Sequence, residues 1–261
     1  MEAWRWAKAY LQWWRRSFRL HGIHSPFVFE LQREALLNRQ PHPDFEDLER
    51  LMVQVKKSDQ TLTVTDLGAG SRWAERQRQV GEIARKGGST VQQGRRLYRM
   101  AHYLQPTTIL ELGTSLGFGT AYLAKGAPEA RVLSLEGDPQ LAQLAKQHWN
   151  TLQIDHAEVR VGAFESSLPE ALQDLQQLDF CFLDGNHRYQ ATLDYFEACL
   201  PYAHSGTVFL LDDIRWSEEM YRAWQTLLRH PRVTVSMDLF FQGLRFLRQK
   251  QSEQHFAVRF R

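Results

Sequence analysis

Ile109-Leu110-Glu111-Leu112-Gly113-Thr114-Ser115-Leu116-Gly117-Phe118-Gly119-Thr120 constrains this chain more than any other stretch. An apolar run meets a carboxylate, then a glycine-rich turn, then Ala121-Tyr122-Leu123-Ala124, which begins a helix. Strand, tight turn and helix in that order form the ligand cradle of doubly wound α/β proteins, where glycine lets the backbone approach a bound molecule closely. The dinucleotide fingerprint needs G-x-G-x-x-G. Gly113, Gly117 and Gly119 give G-x-x-x-G-x-G instead, and Glu111 would repel a pyrophosphate. A carboxylate there suits a ligand with a cationic end, such as an amino acid moiety or a sulfonium.

The α/β rhythm continues downstream. Residues 131–136 read as a second strand ending in Glu136, followed by Gly137 and a helix from Pro139. A carboxylate at that strand end, about 20 residues past the glycines, is placed to accept ribose hydroxyls. Residues 158–161 form a third strand that runs into Gly162-Ala163-Phe164. Residues 178–184 are a fourth, apolar strand delivering Asp184, and 206–213 a fifth delivering Asp212 and Asp213. Residues 233–239 and 244–248 pair through a turn at Gly243, and the alternating 255–260 reads as an added edge strand.

The segment ELGTSLGFGT resembles motif I of the class I S-adenosylmethionine (SAM) methyltransferases. The resemblance runs from about residue 90 to 248. It implies a Rossmann-like, doubly wound α/β domain over 90–261, with seven strands, mostly parallel and closed by an antiparallel one. Residues 1–89 are then a helical N-terminal extension serving as a lid, a dimer contact or a membrane-surface contact. The resemblance also implies that SAM is held by Glu111, Gly113, Thr114, Ser115, Gly117, Gly119, Thr120, Glu136 and Gly137. Asp184 borders the cofactor, and Gly162, Ala163 and Phe164 form the adenine side.

In an open parallel sheet, ligands sit beyond the carboxyl ends of the strands. Neighbouring fourth and fifth strands therefore bring Asp184, Asp212 and Asp213 together. Three carboxylates in one pocket repel unless a cation or protons neutralise them, and hard oxygen donors favour Mg²⁺, with Mn²⁺ or Ca²⁺ as alternatives. One or two of these aspartates could equally cap helices. The run from Leu178 to Tyr189 resembles the first metal element of the catechol-type O-methyltransferases. Their Asp-Asn pair is Asp212-Asp213 here, and their lysine general base is replaced by His187. A neutral imidazole near a metal-polarised hydroxyl can take its proton, with Asp184 also in the catalytic set. His187 could equally anchor its loop. The expected reaction is methyl transfer to a hydroxyl of a small molecule with a divalent metal. A metal-independent SAM methyltransferase, or a SAM-binding membrane-surface or interaction protein, is the alternative.

The first 20 residues are the least ordinary. At 100° per residue, Trp4, Ala7, Leu11, Trp14 and Phe18 form one stripe, extended by Trp6, Tyr10 and Trp13, opposite Arg5, Lys8, Arg15, Arg16 and Arg19. Such a face packs on its own domain, on a second subunit or in a membrane interface. His21 and His24 flank a helix break and read as capping or packing residues. Thr65-Asp66-Leu67-Gly68-Ala69-Gly70 imitates a second cofactor turn. The polar run after it cannot be a buried helix, so it reads as a turn of the extension. Asp44 is expected to cap a helix reaching Val55. A net charge of +2 and 24% charged residues give no case for nucleic acid. Cys181 and Cys199 lie in apolar segments without metal spacing, as buried thiols of a cytoplasmic protein.

Overall fold

The computed structural model describes residues 3–66, 74–87, 89–249 and 252–260. The N-terminal part comprises α1 (Ala3–Arg16), α2 (Pro26–Leu31, prolonged by a π turn over Gln32–Leu36), α3 (Asp44–Val55), β1 (Thr61–Asp66), β2 (Ala74–Gln79) and α4 (Val80–Lys86). Then come α5 (Val91–Leu104), β3 (Thr108–Leu112), α6 (Phe118–Gly126), β4 (Arg131–Glu136), α7 (Pro139–Thr151), β5 (Ala157–Val161) and α8 (Phe164–Leu175). The last third holds β6 (Leu178–Leu183), α9 (Tyr189–Cys199), β7 (Ala203–Leu211), α10 (Glu218–Leu228), β8 (Val235–Asp238), β9 (Gly243–Phe246) and β10 (Gln254–Ala257).

β3 and β6 lie side by side at the middle of an eight-stranded sheet of order β10-β8-β9-β7-β6-β3-β4-β5. β9 alone runs against its neighbours β7 and β8; the other pairs are parallel. Side chains alternate between two apolar layers, as a doubly covered sheet requires. Ile109, Val132, Phe180, Phe182 and Leu210 meet α5, α6 and α7 on one face. Leu110, Leu133, Cys181, Leu183 and Leu211 meet α8, α9 and α10 on the other. Local signals start the helices where the pattern requires. Thr90 and Gln93 form a capping box on α5, Asp138 caps α7 ahead of Pro139, and Ser217 caps α10.

The α/β, mostly parallel architecture with one antiparallel strand is as the sequence implied, but the strand count is eight. The alternating C-terminal segment pairs as β10 along β8 and completes the sheet. Nor is the extension wholly helical: β1 and β2 form an antiparallel hairpin. The turn expected around Gly68 and Gly70 lies outside the described residues. The extension also shares one core with the sheet, since Val28, Leu31, Phe45, Leu48 and Val80 cluster with Val132 and Phe180. Asp44 begins α3 without a side-chain capping bond and instead accepts the Tyr98 hydroxyl.

In α1, Trp6, Tyr10 and Trp13 set their rings edge-on or tilted against Phe240 at distances of 5.5, 5.1 and 5.3 Å, although Tyr10 stays half-exposed. Trp13 is buried, and its indole N–H donates to the Asp238 carbonyl. The stripe Trp4, Leu11, Trp14 and Phe18, expected to lead the packing, is exposed. Phe18 then adds a single bridge to Val258 beyond β10.

Candidate active site

Hydrogen bonds between the segments that follow the strands gather the functional loops at one edge. The Gly113 N–H donates to Leu135 O, the Asp184 N–H to Leu112 O, and the Asp212 N–H to Leu183 O, at 2.9, 2.9 and 3.0 Å. Gly113 has φ +104° and faces the Asp184 carbonyl so closely that a Cβ would collide with it. Gly117, at φ +76°, opens α6, and its carbonyl accepts the Trp149 indole N–H at 2.8 Å.

On the nucleoside side, Glu136 accepts the N–H groups of Ser115 (2.7 Å) and Asp138 (3.0 Å). Burial raises its carboxyl above the ordinary value, and backbone N–H groups, Gly137 included, offset part of that. Gly162, beside it, donates to the Glu136 carbonyl, and Ala163 opens α8. The Phe164 ring lies against Gly185 and packs edge-on to Tyr195. Thus Phe164 separates the end of β5 from Asp184.

Glu111 takes a different place from a ligand's open partner. It is 1% exposed, lies under the turn, and accepts the hydroxyls of Thr120 and Ser134. Thr114 is buried too, its hydroxyl 2.5 Å from that of Ser134. Burial pushes the Glu111 carboxyl up to about 7, against the lowering effect of the two hydroxyls. The side chains of Glu111, Thr114 and Thr120 therefore brace the turn from beneath, while Gly113 and Ser115 are half-buried at its surface and Gly117 is buried against Trp149 and Ala145. The sequence pattern missed another contributor. The Thr65 N–H donates to the Asp138 carboxylate at 2.6 Å, and Gln140 accepts the Thr63 N–H at 3.2 Å, so β1 borders the Glu136 loop.

Asp184, Asp212 and Asp213 do come to one edge. Burial raises all three carboxyls. Asp184 is raised further by Asp212 and Asp213, and Asp212 is pushed up to about 7 by burial and then by Asp213. The Asp212 carboxylate also accepts the Asp213 N–H at 3.0 Å. His187 Nε2 stands 3.9 Å from Asp213 Oδ2. Burial lowers the imidazole below its ordinary value, and Asp213 opposes that. Asn186, not His187, anchors the loop: its amide donates to Tyr195, whose hydroxyl donates to Glu165. Arg96 on α5 and Gln242 in the β8–β9 turn also face Asp212, positions no motif announced. His24 is exposed, away from these contacts.

The donor chemistry fits a hard divalent cation. Asp212 and Asp213 both raise the Asp184 carboxyl, and Asp213 raises that of Asp212, so positive charge brought among them would be favourable. Their present rotamers are not a finished coordination shell. Among the described residues, no three His, Cys, Asp or Glu side chains are grouped closely enough to hold an ion. A cavity of about 600 Å³ lies apart from these acids, between α1, α10 and the β8–β10 edge.

Comparison with known proteins agrees with this arrangement. Residues 110–214 match the family described as a methyltransferase domain. Catechol O-methyltransferase of Mycobacterium tuberculosis is 32% identical over 48% of this chain and 56% of its own length. That of Niastella koreensis is 28% identical over 47% of this chain and 56% of its own. The chain thus spans about half the length of these curated relatives. The O-methyltransferase from Bacillus cereus, solved in complex with SAH, superposes with a TM-score of 0.55 at 20% identity, covering 82% of this chain and 96% of its own. Residues 110–214 are thus similar to a methyltransferase domain, and the chain resembles the class I SAM-dependent O-methyltransferases of the catechol type.

Proposed function

We propose that the protein transfers the methyl group of SAM to a hydroxyl of a small molecule, with a divalent cation, Mg²⁺ or a similar ion, at Asp184, Asp212 and Asp213. One observation carries this reading. Glu136, the Gly113–Gly117 turn and the three aspartates share a single edge of the sheet, on loops joined by hydrogen bonds. Glu136 would accept a ribose hydroxyl, and the turn would let backbone approach the cofactor's amino acid end. Gly162, Ala163 and Phe164 would wall the adenine. Bound there, the cation would lower the pKa of a substrate hydroxyl. His187, held neutral by burial, would take that proton at Nε2, with Asp213 beside it to stabilise the imidazolium. The sulfonium methyl needs no further activation, so alignment is the remaining task of Asp184 and the loop walls.

Calorimetry with SAM and S-adenosylhomocysteine, followed by methyl transfer to a panel of catechols and gallates with and without EDTA, tests this. Uptake of the nucleoside and EDTA-sensitive turnover are expected. No uptake of SAM would end the proposal. The His187–Asp213 contact supports a second reading, a metal-independent methyltransferase using that pair alone. Turnover that survives both EDTA and Asp212→Ala but is lost with Asp213→Ala would select it.

A further inference from the structure

Among the described residues, Val53, Tyr103 and Val161 are singly exposed apolar side chains, but most of the others gather on and around α1. Trp4, Leu11, Trp14 and Phe18 are 58, 47, 44 and 46% exposed, and Trp216 and Phe241 are 60 and 46% exposed. The last two belong to loops that touch α1. Phe241 packs 5.3 Å from Trp6, and Arg5 reaches Glu218, two residues beyond Trp216. A contiguous apolar surface on a folded domain marks an interaction site, whereas single exposed residues need no explanation.

The same surface borders the acids. The Trp216 N–H donates to the Asp213 carbonyl, and Ile214 donates to that of Phe241. β8 runs in the same direction as β7, so the 239–242 turn and the 212–217 loop lie at the same edge as the catalytic candidates. Docking there would turn the mouth of the site toward the partner.

Charge identifies the partner. α1 carries Arg5, Lys8, Arg15 and Arg16 and no acidic residue, and Arg19 follows. With about 100° between successive residues, Lys8 and Arg15 fall within about 40° of Trp4, so these two flank the exposed stripe instead of lying opposite it as expected from the sequence. A second copy of this chain docking symmetrically would set one cationic helix against another, which electrostatics opposes. Basic residues flanking tryptophan and leucine suit an anionic bilayer, where rings sit at headgroup level and cations meet lipid phosphates. No helix among the described residues is long and apolar enough to cross a membrane, so the contact lies in the interface plane.

We propose that α1, with the 213–217 and 239–242 loops, is a docking surface for an anionic membrane, seating the protein peripherally with its acid site at the bilayer. This stands independently of the methyl-transfer reading, and vesicle binding can be measured without cofactor.

The full chain is tested by co-sedimentation with phosphatidylcholine vesicles, with and without phosphatidylglycerol, while tryptophan emission is followed. Binding that requires the anionic lipid, shifts emission to the blue and weakens with salt is expected. Lys8→Glu/Arg15→Glu, both exposed and outside the core, should bind at least about thirty-fold more weakly, the scale of losing two cations, with the reversed charges adding to it. Trp14→Ala should bind more weakly and show a smaller blue shift, Trp4 and Trp216 keeping the rest, while circular dichroism and S-adenosylhomocysteine uptake stay at parent values. Absence of vesicle binding, or equal binding by parent and charge-reversed chains, overturns the proposal. A dimer in sedimentation equilibrium that Trp14→Ala dissolves would also overturn it, in favour of a second copy.

Discussion

Glu136 accepts the Ser115 N–H at 2.7 Å, so the carboxylate at the end of β4 is tied to the glycine turn that follows β3. One side chain thereby sets the spacing of two loops that must hold one nucleoside. Asp138 and Gly137 also donate to this carboxylate, which leaves about one of its roughly four acceptor sites for a ribose hydroxyl.

Glu136→Gln keeps the side-chain shape but removes the charge. S-adenosylhomocysteine affinity measured by calorimetry should fall about ten- to a hundred-fold, the scale of one charge-assisted hydrogen bond. Far-ultraviolet circular dichroism should match the parent. Unchanged affinity would remove Glu136 from the site.

Gly113→Ala places a Cβ against the Asp184 carbonyl at a backbone φ of +104°. Neither partner can yield, because both are main chain at the centre of the sheet. The variant should lose about 2 kcal/mol or more of stability by denaturant titration and lose nucleoside binding with it. Gly206→Ala, facing only the His204 ring, serves as the comparison and should cost less.

Asp212 links stability to pH. Its carboxyl rises from an ordinary 3.8 to about 7, through burial and then Asp213. Between about pH 4 and 7 the folded chain retains a proton that the unfolded chain has released, so stability falls as pH rises through that window. Asp212→Asn removes this loss. In EDTA the variant should melt higher than the parent at pH 8, by about 2–4 °C per kcal/mol recovered, and approach it at pH 4. Calorimetric melting across that range decides it; parallel curves would contradict the burial of this charge.

His187 should be neutral at pH 7, because burial lowers its pKa below the ordinary 6.5. Its histidine ring signals should titrate below that value by NMR, and methyl transfer should persist to lower pH than an ordinary imidazole base allows. His187→Gln should slow single-turnover transfer about 10²- to 10⁴-fold with nucleoside affinity intact. An unchanged rate would leave His187 without a role as base.

Much of this molecule could be read from one-dimensional pattern. Apolar runs such as Leu178–Leu183 can only be strands buried on both faces, and the carboxylates that terminate them must emerge at the ligand edge. Glu136, Asp184, Asp212 and Asp213 were legible for that reason. Glu111 was legible as a residue but not in its place. The sequence puts a carboxylate beside the glycines, yet only packing shows that Thr120 and Ser134 occupy it. The hairpin β1–β2 was hidden because its strands are short and polar, and its support comes from Asp138, over 70 residues away.

What the sequence determined by itself is therefore local and periodic: which segments form strands and helices, and which acids end the strands. These follow from nearest-neighbour sterics and from the two periods of side-chain direction. Which half of the aromatic α1 would be covered depended instead on Phe240, more than 220 residues away along the chain. A helical wheel carries no term for such a partner. The tertiary structure alone decided that Trp13 is buried and Trp14 is not, because the free energy of burial depends on what lies opposite a side chain.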